Sequence, residues 1–313
     1  MIKFGIHSKA QLTPDRLYGP SGSRRFVALD LYEAYEGGDE QDTALFQERV
    51  INRLAMANGS FKRTHLNRFE AFDREMFHII DEKFPQEYPL AVHDIAVSDG
   101  RTTVPFFKKL KEMYGENLSF LASDYAPYFQ VIQKKDDPRR IIRDKEGNLI
   151  QFIVPPFVFN VTSPESRKFY PLNFAIRKFL EKTFVPKMIH EFESHPENFN
   201  VQDMVLLCRP CKKLKEEEDQ FSFEQYNLLS GPKGQFQVIR AMNILNPGYF
   251  APDKMTQIIR HIKDSLVEGG VLITGSNTDS GTPVNGGIYQ VSKGRFIPLS
   301  ESGGGSPVKT FLL

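Results

Sequence analysis

Tryptophan is missing from the 313 residues, and cysteine nearly so, because both thiols lie in Cys208-Arg209-Pro210-Cys211. A lone C-x-x-C lacks the second ligand pair of a structural zinc site, so it reads as two incidental thiols and no metal site is expected. Charge of one sign is not in excess either. Lys+Arg 40 against Asp+Glu 39 leaves +1, and no global field exists to hold long nucleic acid or an acidic membrane by counterion release. No apolar run approaches the roughly 18 residues of a membrane span, and Met1 to Lys9 lack the apolar stretch of a signal peptide. The expectation is a cytoplasmic protein, in which the sequons Asn58-Gly59-Ser60 and Asn160-Val161-Thr162 carry no meaning. A zinc-protease motif is absent too. His190 and His195 in H-E-F-E-S-H stand five apart, and five helical steps turn about 500°, which puts the rings on different faces.

What is present is an ordinary globular composition. Hydrophobic residues make up 40%, charged residues 25%, and there are 27 phenylalanines, enough for a large core. The length suits one large α/β unit or a core domain with an appendage. Residues 1 to about 85 read as helices: Leu45, Val50, Ile51, Leu54 and Ala55 share one face, as do Phe72, Met76, Ile79 and Ile80. Pro85 and Pro89 mark a boundary near 86. Strand and helix then alternate. Leu90 to Val97 is a strand, followed by a small-residue turn and a helix with Val104, Phe107, Leu110 and Met113 on one face; Leu118 to Ser123 is a second strand, ending at Asp124.

A stretch from about 133 to 200 interrupts this rhythm and reads as an insertion. Alternation resumes with strands at Met204 to Leu207, Phe221 to Leu229 and Phe236 to Met242, with a charged turn from Lys212 to Asp219. A helix follows with Met255, Ile258, Ile259, Ile262 and Leu266 on one stripe, started by Pro252 and stopped by Gly269-Gly270. Val271 to Gly275 is a strand, and Gly286 to Val291 with Arg295 to Leu299 is a terminal hairpin. The expected fold is α/β: a Rossmann-like, seven-stranded, mostly parallel sheet over 86–313 with an antiparallel C-terminal hairpin, preceded by a helical region over 1–85.

Ligands of such sheets bind outside the carboxyl ends of the strands. After the first strand, Asp94-Ile95-Ala96-Val97-Ser98-Asp99-Gly100 keeps the spacing D-x-G-x-G-x-G with Ala96 and Ser98 in place of two glycines. Small residues there let a ligand lie against the backbone. Asp124 ends the second strand, 24 positions past Gly100, near the roughly 20 expected of a ribose-binding acid. The G-x-G-x-x-G of NAD-binding turns is not supplied, which leaves a different nucleoside cofactor.

At these residues the chain resembles class I S-adenosylmethionine-dependent methyltransferases, the chemotaxis-receptor (CheR-like) type above all. Ser98-Asp99-Gly100 is similar to that group's S-T-G turn, and Ala122-Ser123-Asp124-Tyr125-Ala126-Pro127 to its A-T-D-I segment. Asn227-Leu228-Leu229 matches its N-L-L, and Ile239 to Leu245 with Tyr249-Phe250 resembles its C-R-N-V-x-I-Y-F. The resemblance covers about 90 to 313 and implies the family's strand order and S-adenosylmethionine as cofactor. Asp94, Ala96, Ser98 and Gly100 would then line the cofactor's methionine end, Asp124 would hold its ribose, and Asn227 with Leu228 would border the adenine. Arg240 and Asn243 would face the sulfonium and the acceptor. Asp99 is the candidate general base, by position alone. The acidic pair after the group's S-T-G turn is replaced by Arg101-Thr102, so receptor glutamyl methylation is not carried over, and a binding or scaffold protein without turnover stands as the alternative. For the acceptor, Phe152, Phe157, Phe159, Phe169 and Tyr170 of the insertion suggest an apolar or aromatic small molecule, with a protein as the other option. The basic and aromatic segment from Arg167 to Lys187 reads first as an amphipathic helix packing Phe174, Ile176, Phe179 and Leu180.

Overall fold

The computed structural model describes residues 4–19, 25–35, 39–52, 54, 56, 62, 64, 65, 68–161, 171–277 and 283–312. In chain order the elements are β1 (Gly5–Ile6), α1 (Pro14–Tyr18), β2 (Phe26–Val27), α2 (Glu40–Ile51), α3 (Glu70–Lys83), β3 (Leu90–Ile95), α4 (Thr103–Tyr114) and β4 (Leu118–Asp124). Next come β5 (Tyr128–Lys134), β6 (Arg140–Asp144), β7 (Leu149–Val154), β8 (Phe157–Asn160), α5 (Pro171–Ser194) and β9 (Phe199–Val205). The remainder is α6 (Arg209–Glu217), β10 (Phe221–Gln225), β11 (Phe236–Met242), α7 (Pro252–Asp264), β12 (Leu266–Ser276), β13 (Asn285–Ser292), β14 (Arg295–Ser302) and α8 (Lys309–Leu312).

These elements form two compact units, residues 1–63 with 126–206 and residues 64–125 with 207–313. The division differs from the expected cut near 86 with an inserted segment at 133–200. Core packing accounts for the difference. Ile6, Leu17, Leu29, Phe46 and Ile51 from the amino-terminal segment share one buried cluster with Phe129, Ile142, Ile150, Ile153 and Val158. Prelude and insertion are therefore halves of one hydrophobic core, and neither buries its apolar face alone. Helix α3, expected in the prelude, belongs to the second unit, where Phe72 lies against Gly286, 3.0 Å from where a Cβ would stand.

The first unit holds a five-stranded antiparallel sheet in the order β8-β7-β6-β5-β9. Alternation along its strands feeds both faces: Phe129, Ile142 and Ile153 point to the amino-terminal segment, whereas Ile132, Ile141 and Phe152 meet Val185 and Met188 of α5. This corrects two expectations. The strand around Met204 pairs with β5 here and not with the parallel sheet. Phe152 and Phe159 are packing residues, stacked at 4.7 Å; Phe157 stacks on Phe4 at 5.6 Å. Phe169 and Tyr170, and the sequon residues Asn58, Gly59, Ser60 and Thr162, lie outside the described residues. On α5 Phe174, Ile176 and Leu180 are half-buried, while Phe179 is exposed.

The second unit holds a seven-stranded sheet in the order β10-β4-β3-β11-β12-β13-β14. Its first five strands are parallel, and β13 and β14 add as an antiparallel meander. Counted along the chain this reads 3-2-1-4-5-6-7, a doubly wound sheet whose direction of growth reverses between β3 and β11. Leu90, Val92 and Ile95 of β3 and Val238, Ile239 and Ala241 of β11 are all buried, as central parallel strands require. Helix α7 lays Met255, Ile258, Ile259 and Ile262 against Ile95, Ile239 and Leu272. Helix α4 sits on the other face: Phe106 and Phe107 meet Phe120 edge-on. Lys212 to Glu217 of the expected turn instead belong to α6, which Pro210 starts and which buries Cys211 and Leu214, three apart on one face.

Candidate functional site

The growth direction reverses where β3 and β11 lie side by side, with Arg240 opposite Asp94 and Ala241 opposite Ile95. Their connections depart in opposite directions and open a crevice at the carboxyl ends. The loop leaving β3 has an unusual backbone there. Ala96 has φ 59°, Ser98 φ 60° and Gly100 φ 79°. The three positions of the D-x-G-x-G-x-G spacing are thus all left-handed, although only one is glycine. Asn243, just past β11, has φ 59°. Among the described residues five non-glycine residues have positive φ, and three of them stand at this reversal point. Left-handed backbone costs an L-residue about 1–2 kcal/mol, and such outliers gather where a site over-determines the chain. Ala96 and Ser98 are half-exposed while Val97, Asp99 and Gly100 are buried, so the loop's accessible surface comes from the two residues that replace glycine.

Asp124 closes β4 beside this loop. Its Oδ2 accepts from the Ser98 N–H at 2.8 Å, a charge-assisted bond that ties the loop to the neighbouring strand. Its carbonyl accepts from the Tyr226 N–H at 2.9 Å, and the Ser123 carbonyl from the Val97 N–H at 3.1 Å, so strand pairing runs past the ends of β3, β4 and β10. Tyr125, the next residue, is exposed. Beyond β10, Asn227 is half-exposed and its Oδ1 accepts from the Leu229 N–H at 3.0 Å. Leu228 is buried, and its carbonyl faces His261 Nδ1 at 3.0 Å. Ala96, Ser98, Asp124, Asn227 and Asn243 thus all stand at one sheet edge.

Three charged candidates stand elsewhere, in the interior. Arg240, expected to face the sulfonium and acceptor, sends Nε and Nη2 to the Asp94 carboxylate at 2.8 and 2.6 Å, with its guanidinium 4.0 Å over the Phe106 ring. Both side chains are buried. Asp94 also accepts from Thr103 Oγ1 at 2.7 Å, so it pins β11 and the start of α4 to β3 and is not a ligand-facing carboxylate. Asp99 is fully buried and takes Arg101 Nε at 3.0 and 3.1 Å and Nη2 at 2.5 Å. That pairing removes it as a general base. The physical reason is common to all three: β3, β11 and the loop are enclosed by α4 and α6, and a charge enclosed there must be paired.

Gly100 meets α6 instead of open space. A Cβ on it would lie 2.3 Å from Cys211 Sγ and 2.8 Å from Cys211 Cβ, and the Cys208 N–H donates to the Asp99 carbonyl at 2.7 Å. Cys208 and Cys211 therefore wedge the loop from behind. Burial, reinforced by the Asp99 charge, pushes the Cys208 thiol up to about 12; burial beside Cys208 likewise raises Cys211 well above the usual thiol range. Unionised thiols of this kind are poor nucleophiles and metal ligands, and no group of three or more His, Cys, Asp or Glu able to hold a metal occurs among the described residues.

Sequence reasoning missed two residues at the edge. Asn277, one residue past β12, donates its N–H to Asn243 Oδ1 at 3.0 Å. Arg68 sends Nε to Asn277 Oδ1 and Nη2 to its carbonyl, each at 2.6 Å. Neither sits in a motif, and only the pairing of elements far apart in sequence could reveal them.

No protein-family model matches the chain, and no curated protein does. The solved structures to which the chain is similar include the [4+2]-cyclase SpnF, at 11% identity over 78% of this chain and 58% of that one, with TM-score 0.32. Another is the N-methyltransferase NodS from Bradyrhizobium japonicum WM9 in complex with S-adenosyl-L-homocysteine, at 12% identity over 71% of this chain and 68% of that one, with TM-score 0.30. A third is the DszA carbon methyltransferase, at 11% identity over 86% and 43%, with TM-score 0.31. The chain spans 58% of SpnF and 43% of DszA. None of these three is described as a receptor methyltransferase. No described helix is long and apolar enough to cross a membrane.

Proposed function

We propose that the unit of residues 64–125 and 207–313 binds S-adenosylmethionine at the carboxyl ends of β3, β4, β10 and β11 and moves its methyl group to an acceptor, as a class I methyltransferase. One observation carries the reading: Ala96, Ser98 and Gly100 are left-handed at alternate positions in the loop after the central strand, the backbone a glycine-rich cofactor turn adopts, here without two of its glycines. The donor set fits the cofactor. The Asp124 carboxylate, fixed by the Ser98 N–H, suits a ribose diol, and the half-exposed backbone at Ala96 and Ser98 suits the methionine end. Asn227 and Leu228 would border the adenine, and Asn243 would face the sulfonium and the acceptor.

When bound, the cofactor supplies a methyl already activated as a sulfonium. The chain's residues then have to hold, align and dehydrate the reactants, an effect worth several kcal/mol. That need is met without a charged base at the sheet edge, consistent with the pairing of Asp99 to Arg101 and of Arg240 to Asp94. The same pairing favours, as a second reading, a binding or scaffold protein that keeps this fold without turnover. A small molecule is the favoured acceptor, and a protein side chain the alternative; the balanced charge offers nothing to long nucleic acid.

Calorimetric titration with S-adenosylhomocysteine tests the reading. The wild-type chain should bind, and Asp124→Ala should weaken binding by about 1.5–3 kcal/mol, the value of charged hydrogen bonds. Unchanged affinity rejects the ribose assignment, and no binding by the wild type rejects the cofactor. Binding without release of labelled methyl to metabolite extract or protein lysate selects the second reading, and label found only in protein overturns the small-molecule acceptor.

A further inference from the structure

We infer that Arg68 is a positioning residue of this site, acting through Asn277 on the Asn243 side chain; the inference rests on the cofactor-binding reading above. Asn243 is the one polar residue that leaves β11 at the reversal point. Its register continues from Ala241 opposite Ile95, which sets it level with the loop of Ala96 and Ser98 across the crevice. Two contacts hold its backbone and side chain: its N–H donates to the Gly275 carbonyl at 2.8 Å, and its Oδ1 accepts from the Asn277 N–H at 3.0 Å.

The second contact fixes which end of the amide is which. With Oδ1 turned to Asn277, Nδ2 is the end left for a ligand, and its 3.5 Å approach to Asn277 Oδ1 is at the limit of a hydrogen bond. The stronger bond to Asn277 Oδ1 comes from Arg68 Nε, at 2.6 Å. Arg68 Nη2 takes the Asn277 carbonyl at 2.6 Å, and Asn277 Nδ2 returns a bond to the Arg68 carbonyl at 2.8 Å. Three bonds thus clamp Asn277, and a planar guanidinium makes two of them in a fork that an ammonium cannot reproduce. Arg68 itself is buried. It precedes α3, so the segment entering the domain acts through Asn277, at the end of β12, on the side chain of Asn243, at the end of the neighbouring β11, and leaves the Asn243 amide N–H groups to a ligand oxygen or carboxylate.

A double-mutant cycle on S-adenosylmethionine affinity tests the relay, using Arg68→Met to keep the aliphatic stem and Asn243→Gly to keep the left-handed backbone without strain. Each single variant should bind about three- to tenfold more weakly, the value of one hydrogen bond, with Arg68→Lys no better than Arg68→Met. The double variant should bind no more weakly than Asn243→Gly alone. Additive losses, or an unaltered affinity in Arg68→Met, overturn the relay while leaving the cofactor reading intact. A wild-type chain that binds no S-adenosylmethionine fails the cofactor reading instead. The relay is then judged by the Asn243 side-chain amide resonances, which should stay dispersed and slow to exchange in the wild type and collapse in Arg68→Met; equal behaviour in both overturns it.

Discussion

Replacing Ala96 and Ser98 by glycine should make the protein more stable, the opposite of what glycine does in most places. With φ at 59° and 60°, each residue carries about 1–2 kcal/mol of left-handed strain that glycine does not. Against that relief, each glycine adds about 0.5–1 kcal/mol of unfolded-state entropy. Ala96 also packs against the α7-side core, and losing its methyl costs about 0.8 kcal/mol. Ser98 keeps its bond to Asp124 in any case, since the backbone N–H is the donor. The sum is a gain of about 1 kcal/mol for the double variant, most of it from Ser98→Gly. Equilibrium urea unfolding followed by circular dichroism reads this as a higher midpoint at unchanged slope; the absence of tryptophan leaves fluorescence a poor probe. Ala91→Gly, in the extended interior of β3, is the control and should lose stability. If Ser98→Gly lowers the midpoint as Ala91→Gly does, the left-handed assignment of the loop is wrong.

Gly100→Ala should cost about 2–4 kcal/mol, because left-handed strain adds to a clash with Cys211; Cys211→Ala in the same chain should recover part of it, seen as a rise in the melting temperature. Arg240→Met should cost about 3–5 kcal/mol by leaving the Asp94 charge buried and unpaired, and adding Asp94→Leu should cost less than the sum. His93 lies buried between Tyr226 and Phe236, and burial, helped by the Lys233 charge, pulls it down to about 3. The unfolded chain therefore binds a proton that the folded chain refuses between about pH 6.5 and pH 3. Stability should fall there by up to about 1.4 kcal/mol per pH unit as pH drops. Urea titrations at pH 7, 6, 5 and 4 should show that slope, and His93→Gln should flatten it.

The parallel sheet was legible because its strands are short apolar runs ending in small or polar residues, and because Pro252 starts the amphipathic helix of Met255 to Ile262; the expected stop was misplaced, since α7 ends at Asp264 and Leu266 and Gly269-Gly270 lie inside β12, where Leu266 pairs with Phe236 of β11. The loop was legible through spacing alone: Ala96 and Ser98 sit where glycine would, and their backbone does what glycine's would. What could not be read was long-range pairing. The sheet of β5 to β9 packs one of its faces against Ile6, Leu17, Leu29, Phe46 and Ile51, a contact with no local signature. Asp94, Asp99 and Arg240 look like site residues in sequence, and only their enclosure makes them ion pairs.

The central claim is that one crevice, at the ends of β3, β4, β10 and β11, takes the cofactor. Backbone amide spectra of the labelled protein with and without S-adenosylhomocysteine test it directly. Shifts concentrated at Ala96 to Gly100, Asp124 to Tyr125, Tyr226 to Leu228 and Asn243, with β13 and β14 unmoved, are the predicted result; saturable binding whose shifts fall elsewhere, or no shifts at all, would contradict it.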